Sequence, residues 1–263
     1  LPSVVYGVGV GPLTDDESRE FVRQSLSSAS HVFVRDAQSC REAIGLDIGP
    51  DKISVTPDAI FLLTLEDVPA AVLEKYARMF AIGDGRRKIG LHLPDISGES
   101  DAAMERAVDC IESVAGDYDA MDFYLIADGP YQEGQSTALR EKLRRVPNIS
   151  VVQYRGVLDL VGAISCLDTV VTTKLHVGLC SFVLGRLPVS IYQHPKVLEQ
   201  YKELGIAEQC RSIAAMNAEW FNEAFERAVD FRKGILDTEI AARRGAAMRD
   251  IRRAASLINS DAR

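Results

Sequence analysis

LDLVGAISCLDTVVTTKLHVGLCSFVLGRLPVSIY, residues 158–192, decides the fold. Leu158, Val161 and Ile164 recur at helical spacing, Asp168–Thr172 is a short β-branched run, Val177–Leu184 reads as a second helix and Pro188–Tyr192 as a second strand. A helix lying between strands, with loops of a few residues, leaves no room for a hairpin. The strands must run parallel, with helices covering both faces of the sheet. The same rhythm extends upstream: strands are expected at Lys88–His92, Asp122–Ala127 and Ile149–Gln153, with helical spacing at Ala107, Val108, Ile111 and Val114 and again at Leu139 and Leu143. Residues 87–215 are therefore expected to form one Rossmann-like unit.

Upstream, Ser3–Tyr6 reads as a strand, Gly7–Pro12 as a loop, and Thr14-x-x-Glu17 as a capping box opening a helix that runs to about Ala29. A strand at His31–Val34 follows, then Arg35, Asp36 and Ser39 ahead of a short helix Cys40–Ile44, then a strand at Lys52–Val55. The glycine-rich turn Gly83–Arg87 marks a boundary. The expected organisation is thus 1–86, part of a second, N-terminal Rossmann-like domain with a linker; 87–215, the C-terminal Rossmann-like domain with its parallel sheet; and 216–263, C-terminal helices. A chain opening inside a β-loop-α unit, with no earlier strand to pair with, is expected to have lost residues upstream of Leu1.

Composition narrows the class. With 263 residues, 47% apolar and 26% charged, the chain has ample length for a buried core. A net charge of -8 argues against a nucleic-acid partner, which needs Lys and Arg in excess on one face. Five widely spaced cysteines, Cys40, Cys110, Cys166, Cys180 and Cys210, read as reduced, buried thiols of a cytoplasmic protein. No Cys-x-x-Cys pair or His-Glu-x-x-His box supports a metal. Leu1–Leu13 lacks the basic start of a signal peptide, and no apolar run is long enough to span a bilayer.

Three features could carry chemistry. The loop holding Gly9 and Gly11 has the strand-turn-helix form that aims backbone N–H groups at a phosphate, and Asp36 after the next strand could grip a ribose. Pro12, however, stands where the third glycine of G-x-G-x-x-G belongs, which disfavours a dinucleotide oxidoreductase and leaves a plain tight turn as the alternative. Thr172–Gly178 lies at a strand's carboxyl end, where open α/β sheets bind ligands; His176 is there either a neutral acid-base group beside a helix N-terminus or a structural histidine. Arg35, Arg155, Lys174 and Lys196 all fall at strand ends, suiting a compact polyanion, although each alone reads as solvated. His92 and His194 also sit at strand ends and His31 within a strand, none with a motif.

Taken in order, VVYGVGVGPL from Val4, Val34-Arg35-Asp36-x-x-Ser39, Pro57–Phe61, Ile164–His176, Gly185-x-x-Pro188 and His194–Val197 resemble the polysaccharide pyruvyl transferase family. The resemblance implies a GT-B-like fold, two Rossmann-like domains facing a cleft, and transfer of the enolpyruvyl part of phosphoenolpyruvate to a sugar as a ketal, in cell-surface polysaccharide biosynthesis. It implies His176 and Arg35 as catalytic residues, and Gly9, Gly11, Asp36, Ser39, Lys174 and Lys196 as substrate-binding residues. It implies no cofactor and no metal, phosphoenolpyruvate as donor, a sugar or lipid-linked oligosaccharide as acceptor, and work in the cytoplasm or at the inner face of the membrane. Lys174 departs from the Arg of many members, keeping charge but losing the bidentate fork. The family's long segment before the glycine loop, with its GD-containing start, is also absent here. Two alternatives stand beside this reading: a GT-B nucleotide-sugar glycosyltransferase holding the donor ribose with Glu199 or Glu203, and a non-catalytic binding or scaffold protein.

Residues 232–263 carry eight basic and four acidic side chains in a chain of net charge -8. Such asymmetry suits peripheral contact with anionic lipid. The partial stripe of Ile235, Leu236, Ile240, Met248, Ile251, Ala255 and Ile258 suits docking back onto the N-terminal part instead.

Overall fold

The computed structural model describes residues 3–93, 101–117, 120–128, 139–146, 148–232 and 234–260; Lys233, Asp261 and Arg263 of the basic tail lie outside them. The chain divides into two units, residues up to Leu63 together with those from Asp237 onward, and Thr64–Leu236.

In the first unit β1 (Val4–Val8), α1 (Asp16–Ser28), β2 (His31–Val34), α2 (Ala37–Ile44) and β3 (Ile53–Val55) form a parallel sheet of order β1-β2-β3 with its crossover helices. Val32 and Val34 of the central strand are fully buried beneath Leu26, Ala43, Leu46 and Ile48. The cap of α1 corrects the expected box: Asp15, not Thr14, takes the extended N-cap conformation and accepts the Ser18 N–H at 2.7 Å. Likewise α2 starts at Ala37 rather than Cys40, because Asp36 caps it.

The expected C-terminal helical block is split between the units. The long C-terminal helix, Asp237–Ser260, packs in the first, burying Ile240, Ala247 and Ala254, one residue every two turns. Tyr6 Oη donates to the Ala247 carbonyl at 3.0 Å, and the Arg244 guanidinium donates to the carbonyls of Phe61 and Leu63, each at 3.0 Å. Docking onto the N-terminal part is borne out by this packing, which leaves Met248, Ile251 and Ile258 on the outer face of the helix exposed.

The second unit holds α3 (Ala70–Met79), β4 (Arg87–His92), α4 (Asp101–Asp117), β5 (Met121–Asp128), β6 (Ile149–Tyr154), α5 (Val157–Ser165), β7 (Thr169–Thr172), α6 (Leu175–Val183), β8 (Val189–Tyr192), α7 (Lys196–Glu203), β9 (Cys210–Ser212) and α8 (Ala218–Val229). Residues 64–86, read from sequence as a linker of the first domain, belong here, because α3 lies against α5 at Gly162, where an added Cβ would stand 2.6 Å from Val72 Cγ1. Trp220, Phe221 and Phe225 bury α8 in the same unit. The sheet is parallel throughout, in the order β6-β5-β4-β7-β8-β9. The chain winds outward from β4 to β6, then returns to place β7 on the other side of β4. The strand order therefore reverses between β4 and β7, the point at which doubly wound sheets open a crevice. Burial pushes the Cys110 thiol up to about 11 and those of Cys180 and Cys210 up to about 12, which leaves them inert at neutral pH.

One buried histidine ties stability to pH. His31 Nε2 lies 2.9 Å from Ser54 Oγ, which also accepts from Arg253 of the C-terminal helix at 3.2 Å. Burial, then the Arg253 charge, hold its pKa below the ordinary 6.5, with Asp51 opposing. The unfolded chain thus binds this proton more readily than the folded one. Stability conferred by neutral His31 is complete above pH about 6.5 and declines as the pH falls below it. Urea midpoints should drop between about pH 7 and 5.5, and His31→Gln should flatten that slope; an unchanged slope in the variant would refute the assignment.

Candidate active site

The sequence-predicted residues fall on the carboxyl edges of the two sheets. In the second unit β7 runs through Thr173 into α6, and the Thr172 hydroxyl accepts the Lys174 N–H at 3.0 Å, fixing the turn. Helix α6 is apolar all round and eight of its nine residues are buried. His176 is the exception. Leu175 and Val177 anchor the first turn in the core, so Lys174 and His176 stand exposed on either side of Leu175. Gly178 is required for this docking, since a Cβ there would collide with Tyr201 Oη, itself bonded to Ser190 Oγ.

The next strand end carries Lys196, exposed at the start of α7, whose Val197 and Tyr201 are buried. Lys174, His176 and Lys196 thus sit at adjacent strand ends, with His194 on the same edge. Arg155 follows β6, three strand spacings or about 14 Å from β7, and its N–H is used by Asp159 at 2.8 Å. His92, to which the sequence attached no motif, ends β4 at the reversal point, buried and paired in register with Thr172. Among the described residues no group of three or more His, Cys, Asp or Glu side chains could hold a metal.

In the first unit Arg35 follows β2 and lies between two buried carboxylates, its Nε 3.3 Å from Asp36 Oδ2 and its Nη1 3.6 Å from Asp58 Oδ2. Gly9 makes room for it: a Cβ there would fall 2.7 Å from Arg35 Nη2. Asp36 Oδ1 accepts the Ser39 N–H at 2.6 Å, and Ser39 Oγ accepts the Val10 N–H at 2.9 Å. The glycine loop, expected from sequence to cradle a phosphate, is held by contacts of its own. Its Val10 N–H is already bonded, Gly11 (φ +83°) sits against the Glu42 side chain, and an anion at the α1 N-terminus would meet Asp15, Asp16 and Glu17. Asp36 likewise spends its carboxylate on Ser39 and Arg35 rather than presenting it to a ribose. Gly9, Gly11, Asp36 and Ser39 shape the loop around Arg35.

A cavity of about 660 Å³ on the second unit lies at the opposite edge of the sheet, lined by Arg87, Asp168, Arg186, Asp230, Phe231 and Arg232 among others. There Gly185 (φ +75°) closes α6, with the Gly185 and Arg186 N–H groups returning to the carbonyls of Phe182 and Ser181. The buried Arg186 guanidinium bonds the carbonyls of Ser165, Leu167 and Leu184. The Gly-Arg-x-Pro segment thus closes α6 and supplies donors to the carbonyl end of α5.

The Arg35 cluster makes a stability prediction. Removing the cation leaves two carboxylates buried without it, a loss of about 3–5 kcal/mol. Arg35→Met should lower the urea midpoint accordingly, and adding Asp58→Asn should restore part of the loss. A midpoint unmoved by Arg35→Met would show that the pairs hold nothing together.

The profile of the family described as Polysaccharide pyruvyl transferase matches residues 1–195. Among curated proteins, none matches the chain significantly in sequence. Solved structures share its fold at low identity. The UDP-GlcNAc 2-epimerase of Neisseria meningitidis, solved bound to UDP-GlcNAc, is 14% identical with a TM-score of 0.65, covering 92% of this chain and 64% of that one. The UDP-GlcNAc 2-epimerase of Methanocaldococcus jannaschii is 16% identical with a TM-score of 0.62, covering 89% and 65%. Anabaena HepE in complex with UDP and glucose is 14% identical with a TM-score of 0.55, covering 99% and 70%. The chain thus spans slightly under two-thirds of either epimerase. At such identities the likeness concerns the fold alone, the GT-B-like plan of two Rossmann-like parallel units.

Proposed function

The chain belongs to the polysaccharide pyruvyl transferase family, and from that premise we propose that it transfers the enolpyruvyl group of phosphoenolpyruvate to two hydroxyls of a sugar, forming a pyruvate ketal and releasing phosphate. The carrying observation is the placement of the Lys174-Leu175-His176 box: it opens the buried helix α6 beside the reversal point of the sheet, with His176 the helix's exposed residue.

Two hydroxyl oxygens bond to C2 of the donor, whose bond to the phosphate oxygen breaks. One hydroxyl proton ends on the methylene carbon, making the methyl group, and the other leaves with phosphate, so no oxidant or reductant is needed. His176 is assigned to those proton transfers. Lys174 and Lys196 are assigned to the carboxylate and departing phosphate, aided by the positive end of α6. Arg35 is the first unit's candidate for the donor's charge, held ready by Asp36 and Asp58. No metal or cofactor enters this scheme.

The structural neighbours solved with UDP or a UDP-sugar favour a second reading, nucleotide-sugar glycosyl transfer. Its ribose-binding acid would come from α7, where Glu199 accepts from Lys202 at 2.9 Å and Glu203 from Gln200 at 3.5 Å.

Phosphate release from phosphoenolpyruvate in the presence of candidate sugars is expected for the wild-type chain. His176→Ala should lower kcat by about 100-fold or more with the fold intact. Near wild-type turnover in the folded variant would remove His176 from the chemistry, whereas UDP release from a UDP-sugar with no phosphate release would select the second reading.

A lipid-linked acceptor is the finer part of this proposal. Among the described residues no helix is long and apolar enough to cross a membrane. Met248, Ile251 and Ile258 are exposed along the C-terminal helix, interleaved with Arg249 and Arg252, as peripheral contact with anionic lipid at the cytoplasmic face would require. Vesicles rich in anionic lipid should float the chain at about 0.1 M salt and release it at about 1 M. A chain left in the soluble fraction at both salts would overturn lipid contact and leave pyruvyl transfer standing.

A further inference from the structure

We propose that His92 is a positioning residue that acts through Thr172 to set the loop presenting Lys174 and His176; this rests on assigning that loop to the reaction. His92 is the last residue of β4 and the register partner of Thr172 on β7, directly at the reversal point of the sheet. It holds the loop by two routes. Its carbonyl accepts the Thr173 N–H at 3.2 Å, extending the ladder one residue beyond β7. Its Nδ1 lies 3.5 Å from Thr172 Oγ1, a long contact between a buried imidazole and a fully buried hydroxyl. The same hydroxyl oxygen accepts the Lys174 N–H at 3.0 Å. The Thr172 hydroxyl keeps its hydrogen and a second lone pair while it accepts the Lys174 N–H, so it can meet His92 Nδ1 as donor or as acceptor, according to the imidazole tautomer.

Tyr154 at the end of β6 flanks the imidazole, with ring centroids 6.3 Å apart. A histidine so placed is buried beneath the site rather than presented to a ligand. Its chemistry is that of a strut: imidazole to hydroxyl to the backbone N–H of Lys174, two residues before His176. Backbone placement at the start of α6 sets where the exposed histidine stands. Small displacements of such a group are costly to a reaction that needs its proton donor within hydrogen-bond reach.

The test compares His92→Leu and Thr172→Val, which remove the contact from either side, with the double variant and with His92→Asn, which keeps a polar atom near the Nδ1 position. Two quantities are read: amide hydrogen exchange at Lys174, which needs no substrate, and kcat and KM for phosphoenolpyruvate-dependent phosphate release. Each single variant should speed Lys174 exchange and lower kcat by on the order of 10-fold, with KM for the sugar little changed. The double variant should add no further loss, and His92→Asn should recover most of it. Exchange at Lys174 unmoved by His92→Leu, or losses that add in the double variant, would overturn the proposal. If the chain releases no phosphate from phosphoenolpyruvate, the transfer reading fails by itself, and the exchange data alone decide whether His92 sets the loop.

Discussion

Both sheets are parallel, and that constraint decides which charges can meet a ligand. Parallel strands joined by helical crossovers put every strand's carboxyl end, and every following helix N-terminus, on one edge; helix C-termini gather on the other. In the second unit the two edges consequently make opposite demands. Where the helices end, unpaired carbonyls need donors, and Arg186 supplies them to Ser165, Leu167 and Leu184 while burial pulls its own pKa down. Lys88 is buried at the same edge between Asp84 and Asp122, each at 2.7 Å. These cations are consumed in holding the unit together. Where the helices begin, backbone N–H groups already supply positive potential, so Lys174 and Lys196 can remain exposed. The cavity lined by Arg186 and the exposed Lys174, His176 and Lys196 therefore lie on opposite edges of the sheet.

The first unit solves the same geometry differently. Its carboxyl edge is occupied by a closed set of polar contacts: Ser39 fastens the glycine loop, Asp36 caps α2, and Arg35 sits between Asp36 and Asp58. A cation facing two carboxylates brings no surplus positive charge to an incoming donor. A cation held in this way would offer an anion fixed geometry rather than net potential.

Much of this was legible in the sequence because it depends on neighbours in the chain. The main strands of the second unit and the β7–α6 junction follow from periodicity over a few residues, although α6 begins at Leu175, two residues before the expected Val177, which places His176 within its first turn. What escaped depends on contacts between distant segments. Nothing local marks residues 64–86 as part of the second unit, because the evidence is Val72 lying against Gly162. Cys210-Arg-Ser212 is too short and too polar to read as a strand, yet it pairs with β8 as the outermost strand of the sheet. Thr14 and Asp15 both qualify as caps by residue type, and the choice between them rests on backbone conformation. The partnership of Arg35 with Asp58 joins the segments that follow β2 and β3, and that of His92 with Thr172 joins β4 to β7, both invisible until the strand order is known.

The packing of α6 explains how an exposed histidine can be placed as firmly as a core residue. The helix is closed at one end by Gly185 and Arg186 and held at the other by Thr172, with its body buried on every side. A side chain at the start of such a helix inherits a fixed backbone and keeps only its own rotamers to lose on binding, about 0.5–1.5 kcal/mol. The same residue on a mobile loop would also have to order its backbone, at about 1–2 kcal/mol per residue. An acid-base group gains most from this arrangement, since its contribution depends on standing within hydrogen-bond reach of the transferring proton. On the role proposed for His176, the apolar character of α6 serves the site as well as the core.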